Sequence, residues 1–124
     1  MSSPTPQVDV LLVDDDIDLR GMLREVLDDA GYVVVEVGSG AEAAQYLATS
    51  PAPRLILLDN TMPVMNGEEF RAMQKGIPAW DAIPTVSMTA AGEATRLAAF
   101  GTMPFIAKPF SPKQLLDTVL QHLK

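Results

Sequence analysis

Short runs of apolar residues alternate along the chain with longer segments in which apolar residues recur every three or four positions. Runs that are apolar throughout are typical of strands buried on both faces of a parallel sheet, and the longer period is that of amphipathic helices. Their alternation predicts an α/β domain with a parallel sheet. The five predicted strands span residues 8–13, 32–37, 55–58, 85–88 and 105–107.

Five helices are predicted between these strands and after the last one. The first has a clear apolar stripe and a C-terminal stop at Gly31, and we expect Asp16 or Asp18 to be its N-cap. The closing helix begins at Ser111-Pro112, with proline in its first turn. The stripe is weakest in residues 92–100, so we expect that helix to be the most mobile of the five. The other two helices are predicted at 41–48 and around Phe70, Met73 and Ile77.

Polar residues stand where four of the predicted strands end. Because right-handed crossovers bring the carboxyl ends of parallel strands to one edge of the sheet, we expect these side chains to gather there. Carboxylates suit Mg²⁺, and a carboxylate can attack phosphorus while an ammonium and a hydroxyl neutralise the phosphoryl oxygens. The pattern therefore predicts a site for a divalent cation and a phosphoryl group. Its candidate residues are Asp14, Asp15, Asp59, Thr89 and Lys108.

The length of the chain, 124 residues, is that of one domain with a real hydrophobic core. Residues 1–7 have neither the basic nor the apolar region of a signal peptide, so we expect a flexible lead before a domain at 8–124. No apolar stretch reaches the roughly 18 residues of a membrane span. The chain has no cysteine, which excludes disulfide and thiolate chemistry. We expect a cytoplasmic protein that does not insert into membranes.

The chain is acidic, with a formal net charge of −7 at neutral pH. Without the three acids of the predicted site, the remaining 13 still outnumber the 9 lysines and arginines, which leaves a net charge of −4. Direct binding to nucleic acid requires a basic face that displaces counterions. We therefore expect no direct nucleic-acid partner.

Five short motifs stand in order along the chain: Val13-Asp14-Asp15, Leu58-Asp59-Asn60-Thr61-Met62-Pro63, Met65-Asn66-Gly67, Thr89-Ala90 and Lys108-Pro109-Phe110. Together they resemble the receiver domain of bacterial two-component response regulators. The resemblance runs from about residue 8 to the C-terminus, with the order and spacing of that family. It implies a flavodoxin-like, five-stranded, doubly wound sheet with strand order 2-1-3-4-5 and five helices.

The resemblance assigns a role to each group of the predicted site. Asp59 is the phosphoacceptor, which takes a phosphoryl group from a phosphohistidine of a histidine kinase or a histidine phosphotransfer protein. Asp14 and Asp15 bind Mg²⁺ together with this carboxylate, and the backbone carbonyl of Thr61 completes the protein ligands. Lys108 contacts the phosphoryl group. Such a protein is not an enzyme but a phosphoacceptor that assists its own phosphorylation and dephosphorylation.

The resemblance also implies a switch that reports phosphorylation to a partner. Thr89 moves to hydrogen-bond the phosphoryl group, and Phe105 then turns inward. A cis peptide between Lys108 and Pro109 is implied as well. The output is recognition by a downstream protein through the predicted helix 92–100, the fifth strand and the closing helix. The expected contact residues are Arg96, Ala99 and Lys113.

The chain departs from the commonest pattern of this family in two places. Met103-Pro104 precedes Phe105, where the family often has acidic or small residues. Thr61 and Ala91, two positions after the phosphoacceptor and the switch threonine, lack a carboxylate or an amide. In this family these positions influence how water reaches the acyl phosphate. We therefore expect the rate of dephosphorylation to differ from that of receivers with longer polar groups there.

Three other interpretations remain open on the sequence alone. A haloacid-dehalogenase-type phosphohydrolase would use Asp14 as the nucleophile of an Asp-x-Asp motif. Against it, Asp18 stands where that family prefers threonine or valine, no acidic pair follows Lys108, and Asp59 has no role. The chain could also be a receiver used as an unphosphorylated scaffold, or a receiver excised from a larger regulator.

Overall fold

The computed structural model describes residues 7–59, 67–90, 104–108 and 110–123. Within these ranges five strands and five helices follow one another in the order expected of βα units. In chain order they are β1 (Val10–Val13), α1 (Ile17–Asp29), β2 (Val34–Val37), α2 (Gly40–Thr49), β3 (Leu55–Asp59), α3 (Gly67–Lys75), α4 (Pro78–Asp81), β4 (Thr85–Ala90), β5 (Phe105–Lys108) and α5 (Pro112–His122).

The five strands run parallel in one sheet, in the order β2-β1-β3-β4-β5. This confirms the predicted fold class and strand order. Val13 at the end of β1 lies beside Val37 on one side and Leu58 on the other. Asp59, the next residue of β3, lies beside Met88 of β4. The carboxyl ends of the central strands are therefore neighbours, and the predicted site residues stand at these ends.

Both faces of the sheet are covered, as the uniformly apolar strands predict. One core packs strand residues such as Leu12 and Leu57 against α1 and α5. The other packs residues such as Leu11 and Leu58 against α2 and α3, where Phe70 is fully buried. Burying a side chain of this kind contributes about 1.5–3 kcal/mol. The strand ends are thus fixed by packing on two sides.

Side-chain caps fix the starts of the helices nearest the strand ends. Asp16, rather than Asp18, is the N-cap of α1, and its carboxylate accepts a backbone amide of the first turn at 3.1 Å. α5 begins with a capping box in which Ser111 and Gln114 each bond the other's backbone amide. Gly31 follows α1 with a φ of 93°, the left-handed conformation predicted for its C-terminal stop. With α1 starting directly after its cap, three residues separate β1 from α1.

The first two strands begin two residues later than predicted. The carboxylate of Asp9 accepts the amide of Val33 at 2.8 Å, so a side chain replaces a ladder bond at this point. Regular pairing begins one residue later, with Val10 beside Val34. The other three strands extend one or two residues beyond their predicted ends, and they include Asp59, Thr89 and Lys108.

The third helix is shorter than its apolar stripe predicts. The stripe places Ile77 in this helix, but α3 ends at Lys75 and Ile77 is the extended N-cap of α4, a short helix that was not predicted. The cause is Pro78, because the residue before a proline disfavours the helical conformation and proline is favoured in a first helical turn. Buried Gln74 donates to the carbonyl of Trp80 at 2.8 Å and ties α4 to α3.

The predicted helix at 92–100 lies outside the described residues, as do residues 1–6 of the predicted lead. The predicted domain limits are therefore still predictions. None of the helices in the described ranges has the length and apolar character needed to cross a bilayer.

Candidate functional site

Two buried carboxylates stand at the centre of the carboxyl edge of the sheet. Asp59 is the last residue of β3, and Asp14 directly follows β1, one step beyond the pairing of Val13 with Leu58. Asp14 is fully buried and Asp59 is 4% exposed. Asp15, by contrast, is exposed. The acidic group therefore has a buried side within the sheet edge and an outer side that faces solvent.

The three carboxylates are close enough to share one ion. One ligand oxygen from each of Asp14, Asp15 and Asp59 lies within 4.8 Å of the other two. Carboxylates at such distances repel one another, and hard oxygen ligands are those that Mg²⁺ prefers. The donor set therefore fits a divalent cation such as Mg²⁺. Thr61, the fourth predicted ligand through its carbonyl, lies outside the described residues.

Lys108 reaches the two buried carboxylates from β5. Its Nζ lies 3.3 Å from Oδ1 of Asp59 and 3.5 Å from Oδ2 of Asp14. Since β4 separates β5 from β3, this side chain extends across the end of β4. Burial lowers the pKa of Lys108, but the charges of Asp14 and Asp59 and the hydrogen bonds to them outweigh burial and raise the pKa above its usual value. Lys108 is therefore a cation at neutral pH.

A buried hydroxyl lies at the end of β4, between the strands that carry the carboxylate and the ammonium. Thr89 is 1% exposed and follows Met88, the register partner of Asp59. In the part of the chain that the structure describes, its Oγ1 has no hydrogen-bond partner. A buried hydroxyl without a partner is costly, and it gains by bonding any acceptor that comes within reach. The hydroxyl of Thr89 can therefore donate a hydrogen bond to a ligand oxygen at this edge of the sheet.

Ser87 is a second buried hydroxyl residue on β4, and it is not among the residues predicted from the sequence. It stands two positions before Thr89, so both side chains point to the same face of the sheet. Its Oγ likewise has no partner among the described residues. The alternation of hydroxyl residues along this strand is the signal that could have revealed it. The register partner of Ser87 is Phe105, which is 46% exposed, and the inward turn of this aromatic residue is still a prediction.

The backbone of Asp14 is held by residues that were likewise not predicted from the sequence. Its amide donates to the carbonyl of Val37 at 3.2 Å, and its carbonyl accepts Nη1 of Arg20 at 3.0 Å. Arg20 also donates through Nε to Glu36 of β2 at 2.9 Å. An arginine one turn after the helix cap, beside an acidic turn, is the pattern that could have pointed to this contact. The end of β1 is thereby connected to α1 and β2.

The other residues that were given a role from the sequence lie away from the carboxylates or outside the described ranges. Lys113 is exposed on α5, where its Nζ lies 3.6 Å from a carboxylate oxygen of Asp117. The cis peptide, the partner contacts and the influence on dephosphorylation are therefore untested. Outside the described residues lie Ala91, Arg96, Ala99, Met103 and Pro109.

Comparison with known proteins defines the class. Residues 10–120 match the model of the response regulator receiver domain, and the chain belongs to this family. Receiver domains are generally phosphoacceptors of two-component systems rather than enzymes. They typically use Mg²⁺ and interact with histidine kinases or phosphotransfer proteins. The acidic cluster and Lys108 occupy the sheet edge at which the family resemblance predicts this chemistry.

Two curated relatives show the range of proteins in which similar sequences occur. The sporulation initiation phosphotransferase F of Bacillus subtilis (strain 168) is 32% identical over 117 residues, which cover 92% of this chain and 92% of that protein. The phosphate regulon transcriptional regulatory protein PhoB of Klebsiella pneumoniae is 36% identical over 113 residues, which cover 89% of this chain and 49% of PhoB. The chain is thus similar to a protein of its own length and to half of a longer one.

Solved structures agree with the observed fold. The chemotaxis response regulator CheY4 of Vibrio cholerae has a TM-score of 0.83 at 32% identity, with 95% of this chain and 100% of that chain covered. The signal receiver domain of a signal transduction histidine kinase from Syntrophus aciditrophicus has a TM-score of 0.84 at 29% identity, with 94% and 89% covered. Family membership favours the receiver interpretation over the haloacid-dehalogenase alternative.

Proposed function

We propose that this protein carries a signal as a phosphoryl group on Asp59, taken from a phosphohistidine of a histidine kinase or a histidine phosphotransfer protein. The observation that carries the proposal is the position of this carboxylate, 3.3 Å from the Lys108 ammonium and grouped with two other carboxylates. A phosphoryl acceptor of this kind needs a carboxylate nucleophile with positive charge beside it.

Asp14 would be the nucleophile in the hydrolase alternative, and we assign it a different role. Its Oδ1 accepts the amide of Asp16 at 2.9 Å, and its Oδ2 lies 3.5 Å from the Lys108 ammonium. These contacts fix the orientation of a fully buried carboxylate, which suits a cation ligand. Because the chain belongs to the receiver family, we assign Asp14 to cation binding and Asp59 to phosphoryl transfer.

In the transfer step, a carboxylate oxygen of Asp59 attacks the phosphorus of the phosphohistidine. The P–N bond breaks, its electron pair stays with the imidazole nitrogen, and an aspartyl phosphate forms. Lys108 contacts one oxygen of the phosphoryl group, because its ammonium lies beside the carboxylate that receives this group. The hydroxyl of Thr89 donates a hydrogen bond to another phosphoryl oxygen. These residues hold the charge that develops on the phosphoryl oxygens.

Magnesium is the proposed cofactor. We assign Asp14 and Asp15 as its ligands, directly or through water, together with Asp59 and the backbone carbonyl of Thr61. When bound, the ion supplies positive charge to a phosphoryl oxygen and offsets the repulsion among the carboxylates. The support for the three carboxylates is that their ligand oxygens lie within 4.8 Å of one another. The carbonyl of Thr61 is assigned from the family resemblance.

The proposed output is recognition by a downstream protein. A phosphoryl group adds charge and acceptor oxygens near Thr89, and the movement of Thr89 allows Phe105 to turn inward from its half-exposed position. The proposed interface comprises residues 92–100, β5 and α5. Exposed apolar residues on two of these elements support it, since Phe105 is 46% and Leu120 is 71% exposed. The net charge of −7 favours a protein over a nucleic-acid partner.

Two further assignments follow from the same proposal. We take residues 8–124 as the receiver domain, since the family match covers 10–120. We place the reaction in the cytoplasm, because the kinases that make phosphohistidine draw on cytoplasmic ATP.

Intact mass spectrometry after incubation with acetyl phosphate tests the proposed function. The wild type should gain one phosphoryl group in the presence of Mg²⁺ and none after chelation. Asp59→Asn should gain none, because an amide is a poor nucleophile. Asp117→Asn, which removes an exposed carboxylate of α5, is the matched control and should label like the wild type.

Three results would overturn this function. An adduct that persists in Asp59→Asn would place the phosphoryl group elsewhere, and steady phosphate release that depends on Asp14 but not Asp59 would restore the hydrolase. A wild type that gains no adduct from acetyl phosphate or from any phosphohistidine donor would be an unphosphorylated scaffold.

A further inference from the structure

The acidic turn after β1 is held at its main chain as well as at its side chains. The amide of Asp14 donates to Val37 at 3.2 Å, which continues the pairing of β1 with β2. Its carbonyl accepts Nη1 of Arg20 at 3.0 Å, and its Oδ1 accepts the amide of Asp16 at 2.9 Å. A rotation of this peptide would move the carboxylate, so the contact with Arg20 bears on where the side chain of Asp14 points.

Arg20 is itself braced by β2. Its Nε donates to Oε1 of Glu36 at 2.9 Å, and the side chain of Arg20 is 19% exposed. Glu36 also receives Nη1 of Arg24 on its other oxygen, at 3.0 Å. The hydrogen bond from Arg24, assisted by Arg20 and opposed by partial burial, lowers the pKa of Glu36 below its usual value. Glu36 is therefore an anion that fixes the direction of the Arg20 guanidinium.

Gly38, just after β2, leaves space for this guanidinium. A methyl group at position 38 would lie 3.0 Å from Nη1 of Arg20 and 2.9 Å from Oε2 of Glu42. Both neighbours are the ends of flexible side chains, and the φ of Gly38 is not positive. An alanine here is therefore compatible with the backbone, but it must displace the tip of Arg20 or that of Glu42.

We propose that Arg20 is a positioning residue of the cation site. By joining the carbonyl of Asp14 to Glu36, it holds the acidic turn in the conformation in which Asp14, Asp15 and Asp59 converge. Groups that orient metal ligands from outside the coordination shell raise metal affinity because the ligands need not reorganise. This inference rests on the proposed function, and it adds a residue that binds neither the ion nor the phosphoryl group.

Arg20→Lys is the direct test, because it keeps the positive charge and removes the planar guanidinium that bonds two acceptors. A guanidinium can bond two acceptors from a planar fork, whereas an ammonium is a single point of charge. Arg24→Lys is the matched control, since Arg24 lies on the same helix and bonds the same Glu36 but has Asp28 rather than Asp14 as its other partner. Calorimetric titration with Mg²⁺ should show the dissociation constant of Arg20→Lys raised about tenfold, as when an outer partner of a metal ligand is lost. The value for Arg24→Lys should match that of the wild type.

Hydrogen exchange without metal gives a second readout that does not depend on phosphoryl transfer. The amide of Asp16 is bonded to Asp14, so it reports whether the turn is held. Its exchange should accelerate in Arg20→Lys and not in Arg24→Lys. Glu42→Ala removes the other side chain that a methyl group at position 38 would meet, and alone it should reproduce neither effect. Gly38→Ala added to Glu42→Ala leaves Arg20 as the neighbour to be displaced, so the double variant should reproduce both effects without altering Arg20 itself.

The outcomes separate this inference from the function on which it rests. If the wild type binds Mg²⁺ and Arg20→Lys binds it equally well, Arg20 has no positioning role. Equal weakening in Arg20→Lys and Arg24→Lys would also overturn the inference, because a general loss of the charge network would then explain the effect. If the wild type binds no Mg²⁺ at all, the proposed function fails first.

Discussion

Two charged clusters are joined by Arg20, and they differ in their balance of charge. Around Glu36, one carboxylate receives two guanidinium groups at 2.9 and 3.0 Å. At the candidate site, three carboxylates gather, and in the described part of the chain the ammonium in contact with them is that of Lys108, at 3.3 and 3.5 Å. Asp28 also pairs with Arg24, at 3.4 Å, so the first cluster is balanced, whereas the second has an excess of negative groups.

This difference separates a structural ion-pair network from a site built for a ligand. The Glu36 cluster is neutralised within the protein, so it stabilises the fold without an added ion. The acidic cluster retains repulsion that a cation relieves. A protein keeps such a repulsion where binding offsets it, and the excess negative charge therefore supports our proposal that the cluster of Asp14, Asp15 and Asp59 is the functional one.

Removal of the ammonium should give the largest effect, because it breaks the contact on which the acidic cluster depends. Lys108→Met should slow labelling by acetyl phosphate at saturating Mg²⁺ by about 100-fold, the effect of losing one charged group that stabilises a transition state. The labelling rate is measured by intact mass. Lys113→Met removes a lysine that is 87% exposed on α5, and it should leave the rate unchanged. A normal rate in Lys108→Met would show that the two lysines are equivalent.

Neutralising one carboxylate from each cluster should change stability in opposite directions. Glu36→Gln should lower the free energy of unfolding by about 1 kcal/mol, because charge-assisted hydrogen bonds are lost. Asp15→Asn should raise it by about 0.5 kcal/mol without Mg²⁺, because repulsion between like charges is relieved. Denaturant unfolding in a chelator measures both. A decrease in both variants would show that the acidic cluster is already balanced.

The pH dependence of stability should show a smaller effect, which comes from the Glu36 cluster. The pKa of Glu36 is lowered from its usual 4.5, so its contribution is present above that value and is lost as the pH falls through the folded pKa. The stability difference between the wild type and Glu36→Gln should therefore shrink between about pH 5 and pH 3. Unfolding curves at these pH values measure it. A stability difference that stays constant over this range would mean that the two arginines do not lower the pKa of Glu36.

The sequence was sufficient to predict what depends on local pattern and strand order. Apolar runs located all five strands, and the polar residues at their ends located the acidic cluster and Lys108. Short-range rules identified the start of the last helix at Ser111 and limited the first cap to Asp16 or Asp18, of which Asp16 is the cap. These features could be predicted because each depends on residues that are neighbours in sequence, or on the rule that parallel strands end at one edge.

Features that depend on side chains meeting across the fold were not predicted. The bond from Arg20 to the carbonyl of Asp14 exists because Glu36, on another strand, fixes the direction of the guanidinium. The late start of β1 depends on the carboxylate of Asp9 reaching Val33. No apolar period shows either contact, because periodicity marks which face a residue lies on and not which polar atoms it meets.

Chemical identification of the phosphorylated residue tests the central claim most directly. Borohydride reduces an aspartyl phosphate to homoserine, which peptide mass spectrometry then locates in the chain. After phosphorylation in Mg²⁺, we expect homoserine at position 59 in the wild type and none after chelation of the metal. Homoserine at position 14 or 15 would contradict the account, because the cluster would then hold its nucleophile where we place the cation ligands.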